Sequence, residues 1–186
     1  MTRVASELIR TKGVNATTID DVLRASGTSR SQFYQYFGDK ESLVNDVAML
    51  QSQTVLAREI SRLRTVESLS GLRRWRDALV QQNALQNGAY GCIIGSIANE
   101  IADQNETARE TLARTFSEWE ALIDAALRRM QDAGNLSAAA DVDQLTVGLM
   151  AALQGGYLLA QTSHDIKPME VALDLALAHI AAYATP

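Results

Sequence analysis

Thr17–Leu43 reads TTIDDVLRASGTSRSQFYQYFGDKESL, and its punctuation decides the fold. Thr17 or Thr18 caps a helix, since an acid follows each by three residues, Asp20 after Thr17 and Asp21 after Thr18, the spacing of a capping box. Ile19, Val22 and Leu23 then form an apolar stripe at helical period. Gly27 supplies the left-handed residue that ends a helix, and Thr28 or Ser29 caps the next one immediately. A glycine turn this short makes the two helices cross steeply, which is a helix-turn-helix.

The second helix of the pair, roughly Arg30 to Phe37, is polar at its start and aromatic at its end. Arg30, Ser31 and Gln32 have side chains suited to base edges in a major groove, arginine to guanine and glutamine to adenine. Phe33 and Phe37, four apart, face inward with Ile19 and Val22 and are expected as core. Tyr34 and Tyr36 point elsewhere, with hydroxyls that can bond phosphate oxygens. Asp39 is expected to cap a third, long helix. Lys40 falls in its first turn, where a cation opposes the helix dipole and a phosphate would account for it.

On these residues, and above all on the Tyr-x-Tyr-Phe-x-Asp-Lys-Glu-x-Leu continuation after the turn, the chain resembles the TetR family of bacterial one-component transcriptional regulators. The resemblance implies an all-α fold of about nine helices. A three-helix DNA-binding head at residues 1–43 is followed by an antiparallel helical body at 44–186 for ligand binding and dimerisation. The candidate DNA-binding residues are Thr17, Thr18, Thr28, Ser29, Arg30, Ser31, Gln32, Tyr34, Tyr36 and Lys40. A weaker resemblance, carried by GCIIGSIANEIAD and FSEWEALIDAAL, is to the family branch that includes repressors of multidrug-export and of aldehyde- or quinone-detoxification genes.

The net charge of −5 looks wrong for a DNA binder until it is divided. Residues 1–42 hold six basic side chains against five acidic, and the rest of the chain eleven against seventeen. The positive end is weak, so affinity is expected to lean on dimerisation and to fall steeply with salt. No run of about 18 uncharged apolar residues is present, and the chain is expected to be soluble and cytoplasmic, with no membrane partner. A single cysteine, Cys92, excludes an internal disulfide.

The opening helix, Met1 to Lys12, turns Val4, Leu8 and Ile9 inward and is shorter than the family's first helix. From Glu41 a helix runs to about Arg64 with Leu43, Val47, Leu50, Val55, Leu56, Ile60 and Leu63 as its apolar positions. The next begins at Ser68 or Ser70 and runs to about Asn87, with Arg73, Arg74 and Arg76 on a solvated face. The pattern breaks over Asn87–Cys92 and resumes with Ile93, Ile94, Ile97 and Ile101. Further helices follow at Glu106–Ala133, Asp141–Thr162 and Pro168–Tyr183. The last two are apolar nearly all round, with Gly148, Gly155 and Gly156 permitting close approach. Helices of that kind must bury both faces, and the expectation is an isologous four-helix homodimer interface.

No catalytic constellation, metal-ligand spacing or cofactor motif is present; His164 and His179 lie on different segments. The resemblance implies a pocket for a lipophilic small-molecule effector, with Trp75, Tyr90, Phe116, Trp119, Met150, Gln154 and Tyr157 as candidate lining residues. Cys92 has two readings, an electrophile- or redox-sensing thiol and a small apolar filler. The expected function is a ligand-released repressor of a palindromic operator in double-stranded DNA, not an enzyme. The alternatives are release through Cys92, or a ligand-free activator or architectural DNA binder.

Overall fold

The computed structural model describes residues 1–185 apart from 86–87 and 89–90. Among the described residues are nine helices: α1 Thr2–Lys12, α2 Ile19–Ser26, α3 Arg30–Tyr36, α4 Lys40–Leu63, α5 Leu69–Ala84, α6 Ile93–Ile101, α7 Glu106–Asp132, α8 Val142–Ser163 and α9 Lys167–Ala181. An isolated bridge between Leu136 and Ala184 is the only strand-type pairing among them. The chain is all-α.

Local chemistry sets the first boundaries. Thr18, not Thr17, caps α2: its Oγ1 accepts the Asp21 N–H at 3.1 Å, while the Asp21 carboxylate accepts the Thr18 N–H at 3.2 Å. Gly27 closes α2 at φ 67°. A Cβ there would meet nothing within 4 Å, so the left-handed angle alone asks for glycine. Ser29, not Thr28, caps α3 through a reciprocal box with Gln32. Asp39 starts α4 by accepting the Ser42 N–H at 2.7 Å and the Ser42 hydroxyl at 2.8 Å.

The chain forms two compact units. The first comprises residues 1–55 and 93–116, so it holds α1 to α3, the start of α4, α6 and the start of α7. Phe33 and Phe37 are buried with Val22, Leu43 and Val47, and their rings pack at 5.3 Å. Polar pairs join its elements: Gln51 to Ser6, the Thr115 hydroxyl to Ser52 at 2.7 Å, and Asn105 Nδ2 to Asn45 Oδ1 at 2.9 Å. The α1–α2 loop is held from two sides. The Asn15 N–H donates to Glu100 of α6 at 3.0 Å, and the Asn15 carbonyl accepts from Lys40 at 3.4 Å.

The second unit comprises residues 56–92 and 117–186. Here α8 and α9 form a helical hairpin, joined by a short link in which His164 takes a left-handed conformation. Gly156 makes that pairing close, because a Cβ would lie 2.9 Å from the Met169 Cα. Gly148 and Gly155 face open space instead, so of the three glycines only Gly156 serves packing within the chain. Arg76 of α5 bonds Asp174 of α9 at 2.9 Å; its side chain is only 15 % exposed, which corrects its assignment to a solvated face, whereas Arg73 and Arg74 are exposed.

One apolar position of α4 is also corrected. Ile60 is 47 % exposed, whereas its neighbour Glu59 is fully buried. Glu59 Oε2 accepts the Trp75 indole N–H at 2.8 Å, and Oε1 accepts from Arg58 at 2.7 Å and Arg62 at 3.2 Å. A carboxyl group withdrawn from water is costly unless its oxygens are hydrogen-bonded, and these three donors supply the bonds.

Candidate nucleic-acid interface

Phe33 anchors α3 from below, and the exposed side chains around it follow from helical geometry. With Phe33 and Phe37 inward, Arg30, Ser31, Gln32, Tyr34 and Tyr36 stand on the outer surface. Tyr34 is half exposed and meets Phe33 edge-on at 5.3 Å; Tyr36 is 72 % exposed. A short helix with an apolar root and a crown of hydroxyl, amide and guanidinium groups has the donors and acceptors that duplex DNA presents in its major groove and along its backbone.

The ten candidate positions divide by what their polar atoms already do. Thr17 is corrected: it is buried, and its hydroxyl donates to the Gly13 carbonyl at 2.7 Å, so it shapes the loop and is out of a duplex's reach. Thr18 and Ser29 are exposed caps. Half-buried Thr28 shares a 2.6 Å hydroxyl contact with Ser26. Gln32 spends its Oε1 on the Ser29 N–H at 2.8 Å. One lone pair of that oxygen is thereby committed to the cap, while Nε2 keeps its donors. Ser31, Tyr34 and Tyr36 keep exposed hydroxyls. Lys40 is half-buried, tied to the Asn15 carbonyl.

Two carboxylates around this surface are held ionised. Hydrogen bonds from the Thr18 hydroxyl and then its N–H hold Asp21 below the usual carboxylate range, with Lys12 and Arg24 adding to the effect. Asp39 is lowered chiefly by the Ser42 N–H and then by the Ser42 hydroxyl. Sequence reading missed a third carboxylate. Asp20 accepts a 2.5 Å hydrogen bond from Arg30 Nη2 and joins α2 to the start of α3. Spacing gives no cue to a pair ten residues apart across a turn.

The candidate effector residues are less exposed. Trp75, Trp119, Met150, Gln154 and Tyr157 belong to the second unit and Phe116 to the first. Tyr90 lies outside the described residues. Trp75 donates to Glu59. Trp119 is fully buried, and its indole nitrogen has no hydrogen-bond partner among the described residues. Gln154 Nε2 lies 3.6 Å from the Met150 sulfur. Burial pushes the Tyr157 phenol up, with neighbouring Cys92 adding to the effect. Cys92 is buried, directly before α6, and forms no disulfide. No group of three or more metal-ligating side chains lies together among the described residues, and no helix among them is long and apolar enough to cross a membrane.

The fold and this surface define a helix-turn-helix DNA-binding protein. Residues 2–47 match the family model described as bacterial regulatory proteins, tetR family, and residues 69–176 match the tetracyclin repressor-like C-terminal domain. The chain belongs to the TetR family of transcriptional regulators. It is 27 % identical to an HTH-type transcriptional regulator in the lacX 3′ region of Lactococcus lactis subsp. lactis, over 91 % of this chain and 85 % of that protein. It is 23 % identical to the HTH-type transcriptional repressor DhaR of a Mycobacterium species (strain GP1), over 86 % and 79 % respectively. The crystal structure of a regulatory protein TetR from Rhodobacter sphaeroides superposes with a TM-score of 0.81 at 22 % identity, covering 96 % of this chain and 95 % of that one.

Proposed function

We propose that the chain is a homodimeric repressor whose head, residues 1–43, binds a palindromic operator in double-stranded DNA. A lipophilic small molecule taken up by the body, residues 44–186, releases it. The observation that carries the reading is the outer surface of α3, where Arg30, Ser31, Tyr34 and Tyr36 are exposed over a buried Phe33. Two such helices, about 34–36 Å apart in a dimer, would enter successive major grooves. The repressive sign is supported by the similarity to DhaR, itself named a repressor.

Dimerisation is supported by the α8–α9 hairpin. Val147, Ala151, Gly155, Leu158 and Leu159 run as an exposed stripe along α8, and Val171 and Leu175 do so on α9. An open apolar groove of about 360 Å³ lies between them, lined by Gly148, Ala152, Leu175 and His179 among others. A second copy of the same hairpin covers such a face most simply, by twofold symmetry.

Effector response requires only that the ligand bind one head arrangement better than another. Within the first unit, Glu100 of α6 grips the Asn15 N–H, so a ligand that displaced α6 would pull on the α1–α2 loop. Burial of Cys92 favours its packing role over release by electrophiles, since an attacking reagent needs access to the sulfur.

Titration of a fluorescent duplex from the DNA upstream of the chain's own gene tests the reading. Binding should weaken steeply with salt and be abolished by a lipophilic effector from a small-molecule panel. Absence of binding at low salt would refute it; binding that no compound alters would leave the ligand-free architectural role.

A further inference from the structure

We propose that Asp20 is a positioning residue for base recognition. It holds one edge of the Arg30 guanidinium so that the rest of the fork is presented to a guanine, and it thereby sets the preferred base pair in each half-site. The inference rests on the reading of α3 as the groove-entering helix and adds to it a residue from α2.

The geometry separates Asp20 from Asp21, Asp39 and Glu7 of the head. Asp21 and Asp39 have capping duties, and Glu7 pairs with Arg10 one turn away on the same helix. Asp20, among the described residues, accepts from Arg30 and from no backbone N–H. Both side chains are about 60 % exposed, at 60 % and 61 %, and an exposed ion pair contributes little to stability. Stability therefore does not explain the pair. A carboxylate on this surface also weakens attraction to phosphates, in a head whose charged side chains barely favour the basic sign.

What the pair supplies is order. An exposed arginine samples many rotamers, and ordering it on binding costs affinity. With Nη2 bonded to Asp20, the plane of the guanidinium is fixed before DNA arrives. The remaining N–H groups can then meet guanine O6 and N7, the bidentate contact that discriminates best among bases. Gln32 is held less freely for such a contact, because one lone pair of its acceptor oxygen serves the Ser29 cap. Arg30 thus keeps a free hydrogen-bonding edge in the first turn of α3.

The test compares the intact chain with Asp20→Asn, Asp20→Glu, Arg30→Ala and Asp20→Asn/Arg30→Ala, each selecting from a random duplex library and then titrated against preferred and random duplexes. Asp20→Asn should bind random duplex at least as tightly as the parent, because a negative charge is gone. It should lose roughly fivefold or more of its discrimination at one base pair per half-site. Asp20→Glu should restore that discrimination, and Asp20→Asn should change preference no further once Arg30 is alanine. A purely structural role would not move the preference at a single base pair. Unchanged discrimination in Asp20→Asn overturns the proposal. So does equal tightening on preferred and random duplexes, which would make the pair a brake on Arg30. If Arg30→Ala itself leaves the preference intact, the assignment of α3 falls, and this proposal with it.

Discussion

The α3 helix and the α8–α9 hairpin both leave a helical face uncovered, with opposite chemistry. On α3 the exposed groups are hydroxyls, two amides and a guanidinium over an apolar root; on the hairpin they include valine, leucine, alanine and glycine. A polar face is satisfied by water until a ligand with matching donors and acceptors arrives. An apolar one stays at a disadvantage until covered. The contrast predicts that the hairpin is covered permanently and α3 transiently.

The largest effect expected from breaking that contrast comes from Leu175→Glu. Leu175 is 68 % exposed, so the single chain should fold with an unchanged helical spectrum. In a twofold interface the charge is buried twice, at on the order of 2 kcal/mol per copy, which weakens the dimer by roughly 10³-fold. Sedimentation at micromolar concentration should show monomers, and operator affinity should fall with them. A variant that remains dimeric would move the interface elsewhere.

Next in size is Glu59→Ala, buried inside the second unit. It leaves the buried Trp75 N–H without an acceptor and Arg58 and Arg62 without their shared anion. Both arginines are partly exposed, so solvent screening reduces their part. A loss of about 2–4 kcal/mol in urea unfolding is expected, with base preference untouched.

The two faces also differ in how far they can be read from residues alone. The turn at Gly27, the capping box before α2 and the inward phenylalanines follow from spacings of three and four residues, and their boundaries agree with the structure to within a residue or two; the Ser29–Gln32 box came only with the structure. The pair Asp20–Arg30 and the bond from Asn15 to Glu100 join residues ten and eighty-five positions apart; no periodicity encodes them. Glu59 was legible in principle. Ser52, Val55, Glu59 and Leu63 are spaced as one helical stripe and all are buried, whereas apolar character alone points to Ile60. Either Thr17 or Thr18 satisfies the capping spacing, and only the fold decides that Thr17 turns inward.

A matched pair of caps sharpens the comparison at smaller scale. Ser29→Ala and Asp141→Ala each remove the side chain that accepts an N–H at the start of α3 or α8, costing about 1 kcal/mol apiece. The first keeps the Ser29 N–H that Gln32 Oε1 accepts but leaves the Gln32 N–H at the start of α3 without its acceptor. Titration should show weakened or re-tuned DNA binding for Ser29→Ala and a nearly unchanged operator affinity for Asp141→Ala, although thermal melting shifts by similar amounts in both.

The smallest effect is confined to acid. Asp39 has its pKa lowered in the fold by the Ser42 N–H and hydroxyl. Its contribution is therefore complete above the ordinary carboxylate range and is lost as pH falls through the lowered folded value. Asp39→Asn keeps a capping oxygen but cannot titrate. Near neutral pH the variant should melt close to the parent, and its melting temperature should fall less on going to pH 3. The part of the acid slope that survives in Asp39→Asn includes the contribution of Asp21, whose pKa is lowered by Thr18 in the same way. Identical acid limbs for the two proteins would show that the Asp39 cap is no more populated in the folded head than in the unfolded chain.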